Sequence, residues 1–136
     1  MLCVSSIFCP YSIFRFVSDG CCVLIHGYSR VVISLLRRAA ISGRRFRVIV
    51  TEGRPDSAGV DVARVLRMPI GKSKLNIPVT LVLDSAVGFI MDEVDMVIVG
   101  AEGVVESGGI INKLGTFQVK KYREAEALCL CLIPLI

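Results

Sequence analysis

Residues 95–116 read DMVIVGAEGVVESGGIINKLGT, and this stretch decides the fold. Its apolar first part ends at Gly100, and glycines and polar residues follow. Short apolar runs bounded by glycine are typical of strands that are buried on both faces of a sheet. In an open α/β sheet, ligands bind just past the carboxyl ends of such strands. The stretch therefore predicts a buried strand followed by a ligand-binding turn.

Similar runs elsewhere predict three more strands, at residues 21–26, 46–51 and 79–84. Helices are predicted between them, from a cap at Ser29 to a stop at Gly43, then at residues 60–66 and 85–91. We interpret the Asp84-Ser85 pair as the cap of the last of these helices. Strands that alternate with helices in this way predict βαβ units. The predicted fold class is α/β, with a Rossmann-like parallel sheet and flanking helices.

Because 54% of the residues are apolar, the sequence has to be examined for segments that could span a membrane. A spanning helix needs about 20 mostly apolar residues, and the longest apolar runs are interrupted at Pro10 and Asp84. We therefore expect no membrane span. Six cysteines are present, and we interpret them as buried free thiols of a reducing cytosol rather than as disulfides or metal ligands.

The net charge of +4 comes from a local excess of arginine, at Arg37, Arg38, Arg44, Arg45 and Arg47. The only aromatic residue among these arginines is Phe46, which belongs to the predicted second strand rather than to a surface for base stacking. We interpret them as a solvated helix end beside its carbonyl groups and expect no direct nucleic-acid binding. The chain also lacks G-x-G-x-x-G spacing and a phosphate-loop motif, so we expect no nicotinamide or nucleoside-triphosphate cofactor.

Polar side chains follow the ends of the predicted strands, and in a parallel sheet those ends share one edge. Six of them form the candidate binding site: His26, Arg30, Arg54, Glu102, Asn112 and Lys113. Arginine and lysine suit a phosphate group, and helix-start N–H groups would add to it. His26 could equally be a core or capping residue, and Arg54 could simply be solvated. Asn112-Lys113 is the pair that most resembles a ligand contact.

Four segments together resemble a known family: residues 28–32 (YSRVV), 50–56 (VTEGRPD), 84–87 (DSAV) and 99–116. They resemble the alpha-subunit family of eukaryotic translation initiation factor 2B. That family shares a superfamily, and a Rossmann-like domain, with methylthioribose-1-phosphate isomerase and ribose-1,5-bisphosphate isomerase. The resemblance implies a cytosolic regulatory subunit of the guanine-nucleotide exchange factor for initiation factor 2. It also implies three kinds of partner: the other subunits of that complex, initiation factor 2, and a second copy in a homodimer.

The resemblance also bears on catalysis. The isomerases carry a cysteine after the first strand and an aspartate in a Gly-Ala-Asp motif, and here Gly27 and Glu102 stand at those positions. Proton transfer on a sugar phosphate needs an acid–base pair, and glycine supplies no such group. We therefore expect a non-catalytic pocket for a sugar phosphate or nucleotide phosphate, with no enzyme activity. The alternative is a sugar-phosphate isomerase of the same superfamily.

Departures from the family divide the chain. We expect residues 1–16 to be an unrelated or disordered segment and residues 17–136 to form the Rossmann-like domain. Residues 67–73 look inserted, since Pro69 and Gly71 cannot continue a helix. From residue 119 the chain diverges, with a helix expected to residue 127 and an apolar run that could be a last strand. The sheet is therefore expected to be incomplete at its C-terminal end, as in a partial copy of the subunit.

Overall fold

The computed structural model describes residues 17–69, 76–106, 109–125 and 129–134. The strands in these ranges are β1 Cys22–His26, β2 Arg47–Thr51, β3 Val79–Val82, β4 Met96–Ala101, β5 Gly103–Val104, β6 Ile110–Ile111 and β7 Cys129–Pro134. The helices are α1 Arg30–Ile41, α2 Ala58–Arg67, α3 Val87–Ile90 and α4 Thr116–Ala125. The predicted strands are found, and so are the first two predicted helices. The helix predicted at 85–91 is the short α3 between two 3₁₀ turns. The last helix begins at residue 116 rather than 119, and its predicted residues 126 and 127 lie outside the described residues.

Five of the described strands form a parallel sheet in the order β3-β2-β1-β4-β7. The chain runs outward from β1 through β2 to β3, and then returns to the other side of β1 with β4. The prediction of an α/β fold with a parallel sheet is confirmed. The C-terminal run forms β7, which pairs with β4 along six residues from Cys129 to Pro134. Strand β7 thus covers the edge of β4 that would otherwise be unpaired.

Strand β1 is buried on both faces because its residues alternate between two apolar clusters. Val23 and Ile25 pack in one cluster with the inner faces of α1 and α2. Cys22 and Leu24 pack on the opposite face with Val87 and other residues around α3. The continuous apolar sequence of β1 therefore reflects a central position between two helical layers.

The two predicted limits of α1 are confirmed. The Ser29 hydroxyl accepts a hydrogen bond from the N–H of Val32 at 3.4 Å. At the other end, Gly43 has a φ of +90° and its N–H donates to the carbonyl of Ala40. This left-handed glycine lies one residue past the C-cap Ser42, which is a common way to end a helix.

The interpretation of Asp84 as a helix cap is wrong. No side chain caps the short 3₁₀ turn at Asp84–Ala86. The Asp84 carboxylate instead accepts hydrogen bonds from the backbone N–H groups of Gly53 and Arg54, at 2.9 and 2.8 Å. These donors lie in the loop after β2, so Asp84 ties that loop to the end of the neighbouring strand β3. Both are charge-assisted hydrogen bonds, because the acceptor is a carboxylate.

Some predictions fall on parts of the chain outside the described residues. These are the segment 1–16 and most of the proposed insertion, of which only Arg67 at the end of α2, Met68 and Pro69 are described. No helix in the described ranges is long and apolar enough to cross a membrane. Cys21 and Cys22 are free and buried, and burial raises the pKa of both thiols above the usual value.

Candidate functional site

A small cleft opens between the carboxyl ends of β1 and β4, where the strand order of the sheet reverses. Such a topological switch point is the usual ligand site of an open parallel sheet. The cleft is shallow, because its empty volume of about 240 Å³ includes open solvent at the mouth and its enclosed space is only about 10 Å³, close to that of one water molecule. Its lining consists of His26, Gly27, Tyr28, Ser29, Gly100, Glu102, Asn112 and Lys113.

His26 lies in the wall of this cleft, but both its ring nitrogens are engaged within the protein. Nε2 is 2.7 Å from the carbonyl oxygen of Leu114, and Nδ1 is 2.6 Å from the hydroxyl oxygen of Thr51. A carbonyl only accepts, so Nε2 carries a proton, and in the neutral ring Nδ1 accepts from the Thr51 hydroxyl. His26 is only 4% exposed. It therefore joins β1, β2 and the loop after β6.

Gly115 makes this histidine bridge sterically feasible. Its φ is +99°, and a Cβ at this position would lie 2.6 Å from Cε1 and 2.8 Å from Nε2 of His26. Both the backbone conformation and the close approach therefore require glycine. The glycine that the sequence placed next to the ligand pair thus serves the wall of the cleft.

Asn112 orients the loop that follows β6. Its side-chain amide donates to the carbonyl oxygen of Gly100 at 2.5 Å, and its Oδ1 accepts from the N–H of Lys113 at 2.9 Å. These two bonds fix the backbone of residue 113 against the end of β4. Asn112 therefore acts mainly on the position of Lys113.

Lys113 reaches across the mouth of the cleft between two carboxylates. Its Nζ is 3.0 Å from Oδ2 of Asp56 and 3.6 Å from Oε1 of Glu102. The hydrogen bond that Lys113 donates to Asp56, together with the charges of both carboxylates, raises the pKa of the Lys113 amine above its usual 10.5. The amine is therefore positively charged at neutral pH, and about half of the side chain remains exposed to a ligand.

Gly27 occupies the position in the cleft that faces Lys113. A Cβ there would lie 3.6 Å from Cγ of Lys113, and the φ of Gly27 is +78°. No side chain therefore projects from this position. The two cysteines whose side chains the structure describes, Cys21 and Cys22, lie at the opposite end of β1.

Two of the six candidate residues lie apart from this cleft. Arg30 is the exposed first residue of α1 and Arg54 is exposed in the loop after β2, and neither lines the cleft. The Arg54 guanidinium pairs with the Glu52 carboxylate at 3.2 Å. The other four candidates come together: His26, Glu102, Asn112 and Lys113.

Sequence reasoning missed Asp56, Asp84 and Thr51, which hold the cleft in shape. Asp56 lies in a turn-rich polar loop, where a solvated carboxylate is the ordinary expectation. Its partner Lys113 is 57 residues away, so no local spacing links the two. Only the position of Asp84 and Thr51 at strand ends could have indicated their role. Among the described residues, no cluster of histidine, cysteine, aspartate or glutamate could hold a metal ion.

Comparison with known proteins identifies the family to which the chain belongs. Residues 12–121 match the Initiation factor 2 subunit family. The chain belongs to this family. It is 52% identical over 105 residues to the translation initiation factor eIF2B subunit alpha of Dictyostelium discoideum, which covers 77% of this chain and 31% of that protein.

More distant relatives of the chain are named as isomerases. The chain is 39% identical over 103 residues to the ribose 1,5-bisphosphate isomerase of Archaeoglobus fulgidus, covering 76% of this chain and 31% of the relative. The fold matches the crystal structure of the translation initiation factor eIF-2B of Pyrococcus horikoshii OT3 with a TM-score of 0.85 and 26% identity. That match covers 92% of this chain and 43% of the solved one. The chain thus spans about a third of the length of the curated relatives that it matches.

Proposed function

We propose that the chain serves as a regulatory or structural subunit, or a partial copy of one, of the guanine-nucleotide exchange factor for translation initiation factor 2. The observation that carries this proposal is the 52% identity to a relative named as the alpha subunit of eIF2B. The identity to a relative named as an isomerase is lower, at 39%. A shared fold does not fix function. The chemistry of the site is therefore needed to compare the subunit role with the isomerase role.

The proposed role of the cleft is to bind a sugar phosphate or nucleotide phosphate without converting it. Lys113 supplies one positive charge at the cleft. Helix α1 starts just after Tyr28 and Ser29, which line the same cleft, and the start of a helix favours an anion. Gly27 offers no acid or base, and Glu102 already interacts with Lys113 at 3.6 Å. The described cleft therefore supports binding better than proton transfer, which needs a donor and an acceptor on the reacting carbons.

The proposed partners are the other subunits of the initiation factor 2B complex, initiation factor 2 itself, and a second copy of the chain in a homodimer. The proposed location is the cytosol. The support is the name of the relatives and their family. A direct test is copurification of the tagged full chain with the other exchange-factor subunits when all are expressed together. Recovery of the tagged chain without any of those subunits would contradict the proposal.

The isomerase alternative is tested separately, with ribose 1,5-bisphosphate as substrate. We expect no formation of the ketose product above the rate without protein, while ribose 5-phosphate binds and is displaced by excess inorganic phosphate. Measurable turnover that is lost in Glu102→Gln would overturn the non-catalytic proposal. Absence of both turnover and binding would overturn the proposed pocket but leave the subunit proposal to the copurification test.

A further inference from the structure

The salt bridge between Lys113 and Asp56 also bears on how the cleft is regulated. Resting on the proposed phosphate pocket, we propose that Asp56 is a built-in competitor for the ligand. In this arrangement the Asp56 carboxylate occupies Lys113 when the cleft is empty, and a bound phosphate takes its place. Binding would then release the loop between β2 and α2 from the wall of the cleft.

Lys113 lies between two carboxylates at the mouth of the cleft. Lys113 is the cation of the cleft lining, and its Nζ is 3.0 Å from Asp56 but 3.6 Å from Glu102. Glu102 lines the cleft, whereas Asp56 reaches Lys113 from a loop that does not. An ammonium group has three donors, yet a third anion cannot approach it without repulsion from both carboxylates. Asp56 comes from a loop outside the lining, so it is the carboxylate that can withdraw without changing the walls of the cleft.

The contact between Lys113 and Asp56 is easily exchanged. The Lys113 and Asp56 side chains are 47% and 55% exposed, and exposed ion pairs contribute little stability because water and salt screen them. A phosphate group offers up to two negative charges and several acceptor oxygens at the same place. A ligand that also contacts the start of α1 can therefore displace the carboxylate.

Displacement of Asp56 also affects the loop between β2 and α2. Its first part stays in place because Gly53 and Arg54 donate to the Asp84 carboxylate. Further along, the N–H of Ser57 donates to the carbonyl of Gly53, at the entry to α2. Release of Asp56 therefore loosens the turn that the Ser57 bond closes, while the Asp84 contacts hold the start of the loop. The state of the cleft is thereby transmitted to an exposed loop on the surface.

The experiment measures the affinity of the full chain for ribose 5-phosphate by calorimetry, in wild type, Asp56→Asn and Asp61→Asn. Asp61 is a matched control, because it is an exposed aspartate on α2 whose partner is Arg64 rather than Lys113. We expect Asp56→Asn to bind about two- to fivefold more tightly, which is the range that one exposed ion pair allows. Asp61→Asn should bind like wild type.

A second measurement separates direct competition from a general charge effect. Hydrogen–deuterium exchange at residues 56 and 57 should become faster in wild type with saturating ribose 5-phosphate, whereas a pure charge effect leaves it unchanged. An equal gain in both variants, or slower exchange on binding, would overturn the competition while the pocket stands. Absence of binding in wild type and both variants would overturn the pocket and the competition together.

Discussion

At the scale of single residues, the cleft uses several polar side chains to hold itself together. His26 and Asn112 both lie in its lining, but their hydrogen bonds go to Thr51, Leu114, Gly100 and the backbone of Lys113. The sequence could predict that these residue types gather at one sheet edge, because strand ends in a parallel sheet share that edge. It could not predict which of them face a ligand, because that depends on partners up to 88 residues away.

The bridge between His26 and Thr51 makes a first prediction. Thr51 is fully buried, and Thr51→Val keeps its shape but removes the hydroxyl that His26 Nδ1 needs. A buried polar atom without its partner costs about 1–3 kcal/mol, so we expect a loss of that size in the free energy of unfolding from urea titration. Thr80→Val is the matched control, since Thr80 is an exposed strand residue and should change stability by less than about 0.5 kcal/mol. Equal effects of the two variants would contradict the bridge.

The close approach of Gly115 to His26 makes a second prediction. Gly115→Ala combines an unfavourable left-handed backbone with a contact to the imidazole ring, so we expect a loss of about 3 kcal/mol in the free energy of unfolding. Gly20→Ala provides the comparison, because Gly20 has a φ of +81° and open space around its missing Cβ. That variant should lose only about 1–2 kcal/mol from the backbone alone. A similar loss in both would show that the ring can move aside at no cost.

At the scale of strands and helices, the prediction from sequence depended on how regular each element is. The central strands were predictable because their burial on both faces leaves continuous apolar runs, as in Val97-Ile98-Val99. The antiparallel pair of β5 and β6 was not predicted, since each strand has only two residues and carries no periodicity. The pairing of β7 with β4 was left open for a similar reason, because Pro134 makes an apolar run an ambiguous strand.

The loop after β2 depends on Asp84, and this makes a third prediction. In Asp84→Asn, one oxygen becomes an amide that cannot accept, so either Gly53 or Arg54 loses its acceptor. We expect hydrogen–deuterium exchange at residues 53 and 54 to become about tenfold faster, as fits the loss of one hydrogen bond to a charged group. Asp92→Asn changes an exposed carboxylate next to α3 and should leave that exchange rate unchanged. Unaltered exchange in Asp84→Asn would mean that the loop is held by other contacts.

At the scale of the whole molecule, the reversal of strand order between β1 and β4 explains why one short segment was so informative. Residues 95–116 contain β4 and the turn that closes the cleft, so the buried strand and three of the candidate site residues are close in sequence. The opposing wall comes from the end of β1, with Gly27 beside Lys113. The fold class followed from periodicity, and the place of the cleft followed from topology. The position of Asp56 required the structure.

The cleft as a whole makes the last prediction, on thermal stability. A ligand at 100 times its dissociation constant stabilises the native state by about 2.7 kcal/mol, which corresponds to a rise in Tm of roughly 10 °C for a domain of this size. We expect ribose 5-phosphate to produce such a shift in wild type, and Lys113→Met to remove most of it because the cation of the cleft is lost. Lys121→Met is the matched control, since this exposed lysine lies on α4 beside Phe117 rather than in the cleft lining. An equal shift in all three proteins would place the phosphate elsewhere on the surface, whereas loss in Lys113→Met alone would locate it at the switch point of the sheet.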